Sequence, residues 1–109
     1  MFAENKKAAP TACGDGVTRR ILGTGGSLMM VEVTFKAGGV GEPHTHTHEQ
    51  VSYVARGSFD FTLNGETRKI VAGDSVYIPS GALHGTVALE DSVIVDVFTP
   101  IREDFLTKS

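Results

Sequence analysis

From residue 17 onward, apolar and polar positions alternate in short runs broken by glycine, and no run keeps a helical period over several turns. Residues 27–35 put Met30, Glu32 and Thr34 on one face and Val31, Val33 and Phe35 on the other, the two-residue period of a strand with one buried side. Residues 58–63 alternate Phe59 and Phe61 with Asp60 and Thr62, and Asn64-Gly65 then predicts a tight hairpin returning through 66–71. Further strands are expected at 17–22, 51–55, 75–78, 84–89 and 92–98, with turns at 23–26, 56–57, 72–74 and 79–81. Residues 37–43 read as a Gly-rich connection, and 100–106 has room for one helical turn. Residues 1–16, with Pro10, Gly14 and Gly16 and no sustained period, read as an N-terminal arm. The expected organisation is that arm followed by a single all-β domain over 17–109 that ends in a short C-terminal extension. Many short strands with frequent turns point to a small closed β-barrel or a two-sheet jelly roll, whose mouth can hold a ligand.

Composition narrows the function. A chain of 109 residues holds one hydrophobic core and not two. The net charge of −3, with no run of Lys or Arg, argues against a nucleic-acid partner. No apolar stretch is long enough to cross a membrane and the first residues lack the apolar core of a secretory signal, so no membrane partner and a cytoplasmic location are expected. Cys13 is the only cysteine, which excludes an intrachain disulfide, and it reads as an isolated thiol.

The candidate chemistry lies in the run Pro43-His44-Thr45-His46-Thr47-His48-Glu49-Gln50 and in His84. In an extended segment His44 and His46 share a face, so two imidazoles reach one ion, with Gln50 as a third ligand and His84 as a fourth. A surface histidine run without an ion is the bland alternative. Glu49 alternates away from the face of His46 and Gln50. His48 falls on the ligand face by simple alternation. In the last strand, Val93, Val95 and Val97 alternate with Ile94, Asp96 and Phe98. A carboxylate amid apolar residues is costly unless paired, hydrated or used, which makes Asp96 an acid/base candidate; pairing with Arg102 or Arg56 is the structural alternative. Arg102 follows Pro100 and can fold back over the mouth of the domain, where a guanidinium suits a carboxylate.

Two spaced motifs carry a resemblance. Gly38, His44, His46, Gln50 and Gly57 match the first cupin motif in spacing, and Gly73, Pro79, Gly81 and His84 match the second. The departures are Gln50 where the family usually has Glu, and Ala88 where it usually has Asn four residues after the last histidine. The His-x-His-x-His-Glu-Gln run and the ending from Asp96 to Leu106 resemble the pectin-degradation cupins of the KdgF type. That resemblance implies a cupin barrel holding one divalent transition metal (Zn, Ni, Fe, Mn or Cu) through His44, His46, Gln50 and His84. It leaves His48 outside the metal's immediate ligands, so that a supporting hydrogen-bonding role is expected for it, with substitution for His44 or His46 as the alternative, and it implies catalytic and substrate-contacting roles for Asp96, Phe98 and Arg102. The implied reaction opens the ring of 4,5-unsaturated uronate monosaccharides to linear 4-deoxy-5-keto uronates, with an anionic sugar as the small-molecule partner and a homodimer as the assembly. An amide in place of a carboxylate leaves the metal its full charge, making it a stronger Lewis acid. Two other classes stay open: another metal-dependent cupin enzyme such as a dioxygenase, or a non-catalytic sugar- or metabolite-binding module.

Overall fold

Residues 1–106 are described by the computed structural model. The alternating segments form β1 (Thr11–Gly14), β2 (Val17–Gly25), β3 (Leu28–Phe35), β4 (Val40–His44), β5 (Glu49–Arg56), β6 (Ser58–Leu63), β7 (Glu66–Val71), β8 (Ser75–Ile78), β9 (His84–Ala88) and β10 (Ser92–Thr99). A single helical turn, α1 (Glu103–Leu106), follows where the sequence leaves room for one. The strands pair antiparallel into a six-stranded sheet, β1-β2-β3-β10-β5-β8, and a four-stranded sheet, β4-β9-β6-β7.

The sheets are not closed into a barrel. β4 hydrogen-bonds to β9 in one sheet while β5, the next strand, joins β10 and β8 in the other, so the ladder is interrupted where the chain changes sheets. The two-sheet form of the all-β expectation describes the molecule. Asn64 and Gly65 take φ of 47° and 86°, the positive values that a tight two-residue hairpin needs, and β6 and β7 pair outward from Leu63 opposite Glu66.

Three elements differ from the sequence expectation. Residues 40–44 are strand rather than connection: three nearby glycines dilute the β signal, and the pairing with β9 supplies the order that propensity does not. Thr11–Gly14, within the expected arm, is an edge strand on β2, after a short 3-10 turn at Asn5–Lys7. β2 runs on to Gly25 through the segment read as a turn, since the reversal takes only the residues before Leu28. Residues 107–109 of the expected C-terminal extension lie outside the described residues.

Burial follows the alternation. Val17, Phe35, Val54, Phe59, Phe61, Ile70, Ile78, Ala88 and Ile94 come from both sheets and form the main core, with Phe35 set edge-on to Phe59 at 5.1 Å between centroids. Each large side chain buried this way is worth about 1.5–3 kcal/mol. A second cluster of Met29, Val31 and Phe98 is covered by Ile101 and Phe105 from the C-terminal segment. That segment therefore closes one end of the space between the sheets, beside the histidines.

Candidate metal centre

His44 ends β4 and is the cross-strand partner of His84, which begins β9. His46 lies in the irregular segment between β4 and β5, so it reaches the other two through the turn rather than by strand alternation. Its carbonyl accepts a hydrogen bond from the Gly81 backbone N–H at 2.8 Å, which ties that turn to the approach to β9. The rings of His44 and His84 stand 4.4 Å apart, His46 and His84 4.9 Å, and His44 and His46 5.4 Å between centroids. One ligand nitrogen from each lies within 4.8 Å of the others.

The backbone fixes which nitrogen faces inward. His44 Nδ1–H donates to the Glu42 carbonyl at 2.9 Å, His46 Nδ1–H to the His48 carbonyl at 3.0 Å and His84 Nδ1–H to the Ala82 carbonyl at 3.0 Å. Each neutral ring is then left with a bare Nε2, the tautomer that ligates a metal. Burial lowers the pKa of His46 and of His84, which favours that neutral form. His84 Nε2 is buried with no partner among the described residues.

Gln50, buried on β5, completes the set. Its Nε2 donates to Ser52 Oγ at 2.9 Å, and Ser52 Oγ–H donates to Asp96 Oδ1 at 2.6 Å. With the hydroxyl proton committed to the carboxylate, Ser52 can only accept from the amide, so Gln50 Oε1 turns inward, 2.9 Å from His46 Nε2. In the neutral Nδ1–H form of the three rings, three bare imidazole nitrogens and an amide oxygen share a small volume. Such a group of lone pairs fits a divalent transition cation and has no other evident partner. Glu49, the adjacent carboxylate, is exposed and accepts a hydrogen bond from the Tyr77 hydroxyl on the outer face.

The register of β5 with β10 explains the next layer. Gln50 faces Phe98 and Ser52 faces Asp96, so all four share the inward side. Burial raises the Asp96 pKa to about 6, against the hydrogen bonds from Ser52 and Gln50 and the charges of Arg102 and His44. Phe98 is buried, edge-on to His46 and to Phe105, each at 5.8 Å. Arg102 does fold back over the opening, but its nearest acid is not Asp96. Its Nε and Nη2 donate to Asp104 at 3.0 and 2.8 Å, and its guanidinium lies over Phe105 at 4.2 Å and Phe98 at 5.2 Å. His48 stays off the cluster and donates from Nε2 to the Ile101 carbonyl at 3.2 Å, pinning the C-terminal segment beside the site.

These groups border a cavity of about 600 Å³ lined by His44, Gln50, Ser52, His84, Asp96, Phe98 and Arg102, and along β2 and β3 of the same sheet by Arg19 and Val33. That is room for a monosaccharide. Ser52 and Arg19 are lining residues to which the sequence assigns no role. A polar residue at the inward position two after Gln50 is the signal for Ser52, and a cation between Val17 and Ile21 on the inward face of β2 is the signal for Arg19.

The Cupin domain family pattern matches residues 31–98. The chain belongs to the cupin family. Among cupins it is similar to the pectin degradation protein KdgF of Dickeya dadantii, 45% identical over 95 residues that cover 85% of this chain and 86% of that protein. The solved structure of KdgF from a Halomonas species superposes with a TM-score of 0.92 at 39% identity, covering 96% of this chain and 97% of that one. An RmlC-like cupin from Shewanella frigidimarina superposes with a TM-score of 0.91 at 36% identity, over 95% of this chain and 94% of its own. The cupin centre described above is thus seated in a scaffold shared nearly end to end with these relatives.

Proposed function

We propose that this cupin opens the ring of 4,5-unsaturated uronate monosaccharides, giving linear 4-deoxy-5-keto uronates. The observation that carries the reading is the lone-pair cluster of His44, His46, Gln50 and His84 joined through Ser52 to the Asp96 carboxylate. Similarity over most of the chain to a pectin degradation protein supports the substrate class.

The substrate is a hemiacetal whose ring oxygen joins the anomeric carbon to an enol carbon bearing the carboxylate. Removing the proton from the anomeric hydroxyl lets its oxygen form the aldehyde carbonyl while the bond from the anomeric carbon to the ring oxygen breaks. The electron pair stays on the former ring oxygen as an enolate, and protonation at C4 gives the ketone. No oxidant or reductant is consumed. His44, His46, Gln50 and His84 would hold a divalent transition metal, which would supply Lewis-acid stabilisation of the oxygen that becomes negative.

Asp96 is the base. A carboxyl with a pKa near 6 is ionised at neutral pH yet basic enough to take the hydroxyl proton and return it to C4. Ser52 holds the carboxylate in place through Oδ1. Phe98 forms an apolar wall for the sugar ring, and Arg102 offers the substrate carboxylate the N–H groups that Asp104 leaves. Turnover in deuterated water tests the reading by NMR: one deuterium enters at C4 of the ketone product. A product without label at C4 contradicts the enolate route.

The homodimer is proposed with the six-stranded sheet as its contact. Val51, Tyr53 and Tyr77 stand exposed together on the outer face of β5 and β8, with Val51 opposite Tyr77. Light scattering of wild type and Tyr53→Lys reads it; a wild type of monomer mass contradicts it.

A further inference from the structure

Arg19 is the cation of the cavity that has no part in the proposed reaction. It sits on β2 between Val17 and Ile21, opposite Val33, on the face that packs inward. A cation at a core-facing strand position is costly unless something anionic meets it. Among the described residues Arg19 is in no salt bridge, although Asp15 and Glu42 border the same cavity. Its guanidinium carbon lies 3.9 Å from the centroid of Phe105, so the plane of the fork is steadied by an aromatic face rather than by an acid. The same ring carries Arg102 at 4.2 Å, and there the Nε–Nη2 side is already taken by Asp104. Two guanidinium groups therefore flank one phenyl ring at the cavity, one neutralised locally and one not.

We propose that Arg19 is a substrate-binding residue that grips the carboxylate of the sugar acid and makes the cavity prefer an anionic sugar over a neutral one. A planar fork with its N–H groups uncommitted matches a carboxylate two-to-two, which a lysine or the metal's point charge does not. Arg19 comes from β2, and His44, His46, Gln50 and His84 from β4, the β4–β5 turn, β5 and β9, so a sugar acid spanning the cavity is held from different elements at its two ends. This inference rests on the ring-opening reading for the identity of the substrate, but not for the existence of the anion site.

Arg19→Met keeps an unbranched apolar stem over Phe105 and removes the charge; Arg19→Lys keeps the charge and loses the fork. With a metal-loaded sample and an unsaturated monouronate, Arg19→Met is expected to raise KM about 10- to 100-fold while kcat stays within about threefold, and Arg19→Lys to fall between. Metal affinity by chelator competition stays at the wild-type value in both, since Arg19 touches no ligand. An unchanged KM in Arg19→Met, or a loss confined to kcat, overturns the proposal. Calorimetry with D-galacturonate and D-galactose decides the point apart from turnover. Wild type binds the acid more tightly, and Arg19→Met narrows that difference, leaving only what Arg102 contributes; equal affinity for the acid in the two proteins overturns the inference even if the wild type turns over nothing. Should Arg19→Met fail to fold, the same titrations on Arg19→Lys decide, with wild-type affinity and KM counting against a fork.

Discussion

Gln50 Oε1 lies 2.9 Å from Nε2 of His46, and in the neutral ring whose proton is on Nδ1 toward the His48 carbonyl the two meet as acceptors. A cation between them resolves the conflict. Gln50→Ala should therefore weaken divalent metal binding by at least about tenfold, measured by competition with a chromophoric chelator. Gln50→Glu should tighten metal binding and slow turnover, because the added charge offsets that of the metal. Equal affinity in wild type and Gln50→Ala would remove Gln50 from the ligand set.

Ser52 touches neither metal nor substrate in this account, yet it orients both Gln50 and Asp96. Ser52→Ala leaves the amide free to rotate its N–H group toward His46. About 10- to 100-fold weaker metal binding is expected, in the range seen when a ligand loses its supporting hydrogen bond. The effect should be largely absent in a Gln50→Ala background, where no amide remains to be oriented. Full additivity of the two substitutions contradicts the relay.

The histidines, Gln50 and Asp96 were legible in the sequence because spacing and the two-residue period of a strand are local. His44 and His84 needed only motif spacing, and Asp96 stood out as a charge in an apolar strand. Gln50 was separable from Glu49 by alternation, and their burial agrees: one faces inward, the other Tyr77. Ser52 and Arg19 were not legible, since their meaning depends on partners brought close only by register. Ser52 meets Asp96 from 44 residues away across β5 and β10, and Arg19 meets Phe105 of the C-terminal turn. β4 was missed for a related reason: its pairing with β9, not its composition, makes it a strand. That the two sheets stay open rather than closing into a barrel likewise depends on edge pairing that alternation does not encode.

Asp96 gives a pH dependence with a definite sign. Its folded pKa is raised from 3.8 to about 6, so between those values the folded protein holds a proton that the unfolded chain has lost. Stability of the metal-free protein therefore falls as pH rises through that window and levels above it, by up to about 3 kcal/mol. Asp96→Asn should abolish this component, making the variant more stable relative to wild type at pH 7 than at pH 4 by urea denaturation. In turnover the same carboxyl acts ionised, so kcat/KM rises with pH through about 6 or below, and Asp96→Asn loses about 100-fold or more of the rate together with that limb. Full ring-opening activity in Asp96→Asn contradicts its role as base.

Gly57 turns the chain between β5 and β6 at a φ of 83°, where a Cβ would sit 2.0 Å from Ser92 Oγ and 2.8 Å from the Asp91 carbonyl. Ser92 Oγ also accepts the Ser58 backbone N–H at 3.0 Å and donates to the Glu90 carbonyl at 2.7 Å, so it cannot step aside without leaving buried groups unpaired. Gly57→Ala should cost about 3 kcal/mol or more by chemical denaturation. A loss below about 1 kcal/mol would mean that the β5–β6 corner is softer than its contacts imply.

If the cluster of His44, His46, Gln50 and His84 holds a metal that serves ring opening, the loss of ultraviolet absorbance of a 4,5-unsaturated monouronate under nitrogen will follow the metal content of the protein. Loss should be fast with metal-loaded protein, fall to the spontaneous rate after stripping by chelator, recover on reloading with a divalent transition metal, and need no dioxygen. A stripped protein as fast as the loaded one, or a loaded protein no faster than the uncatalysed opening, would contradict this role of the metal.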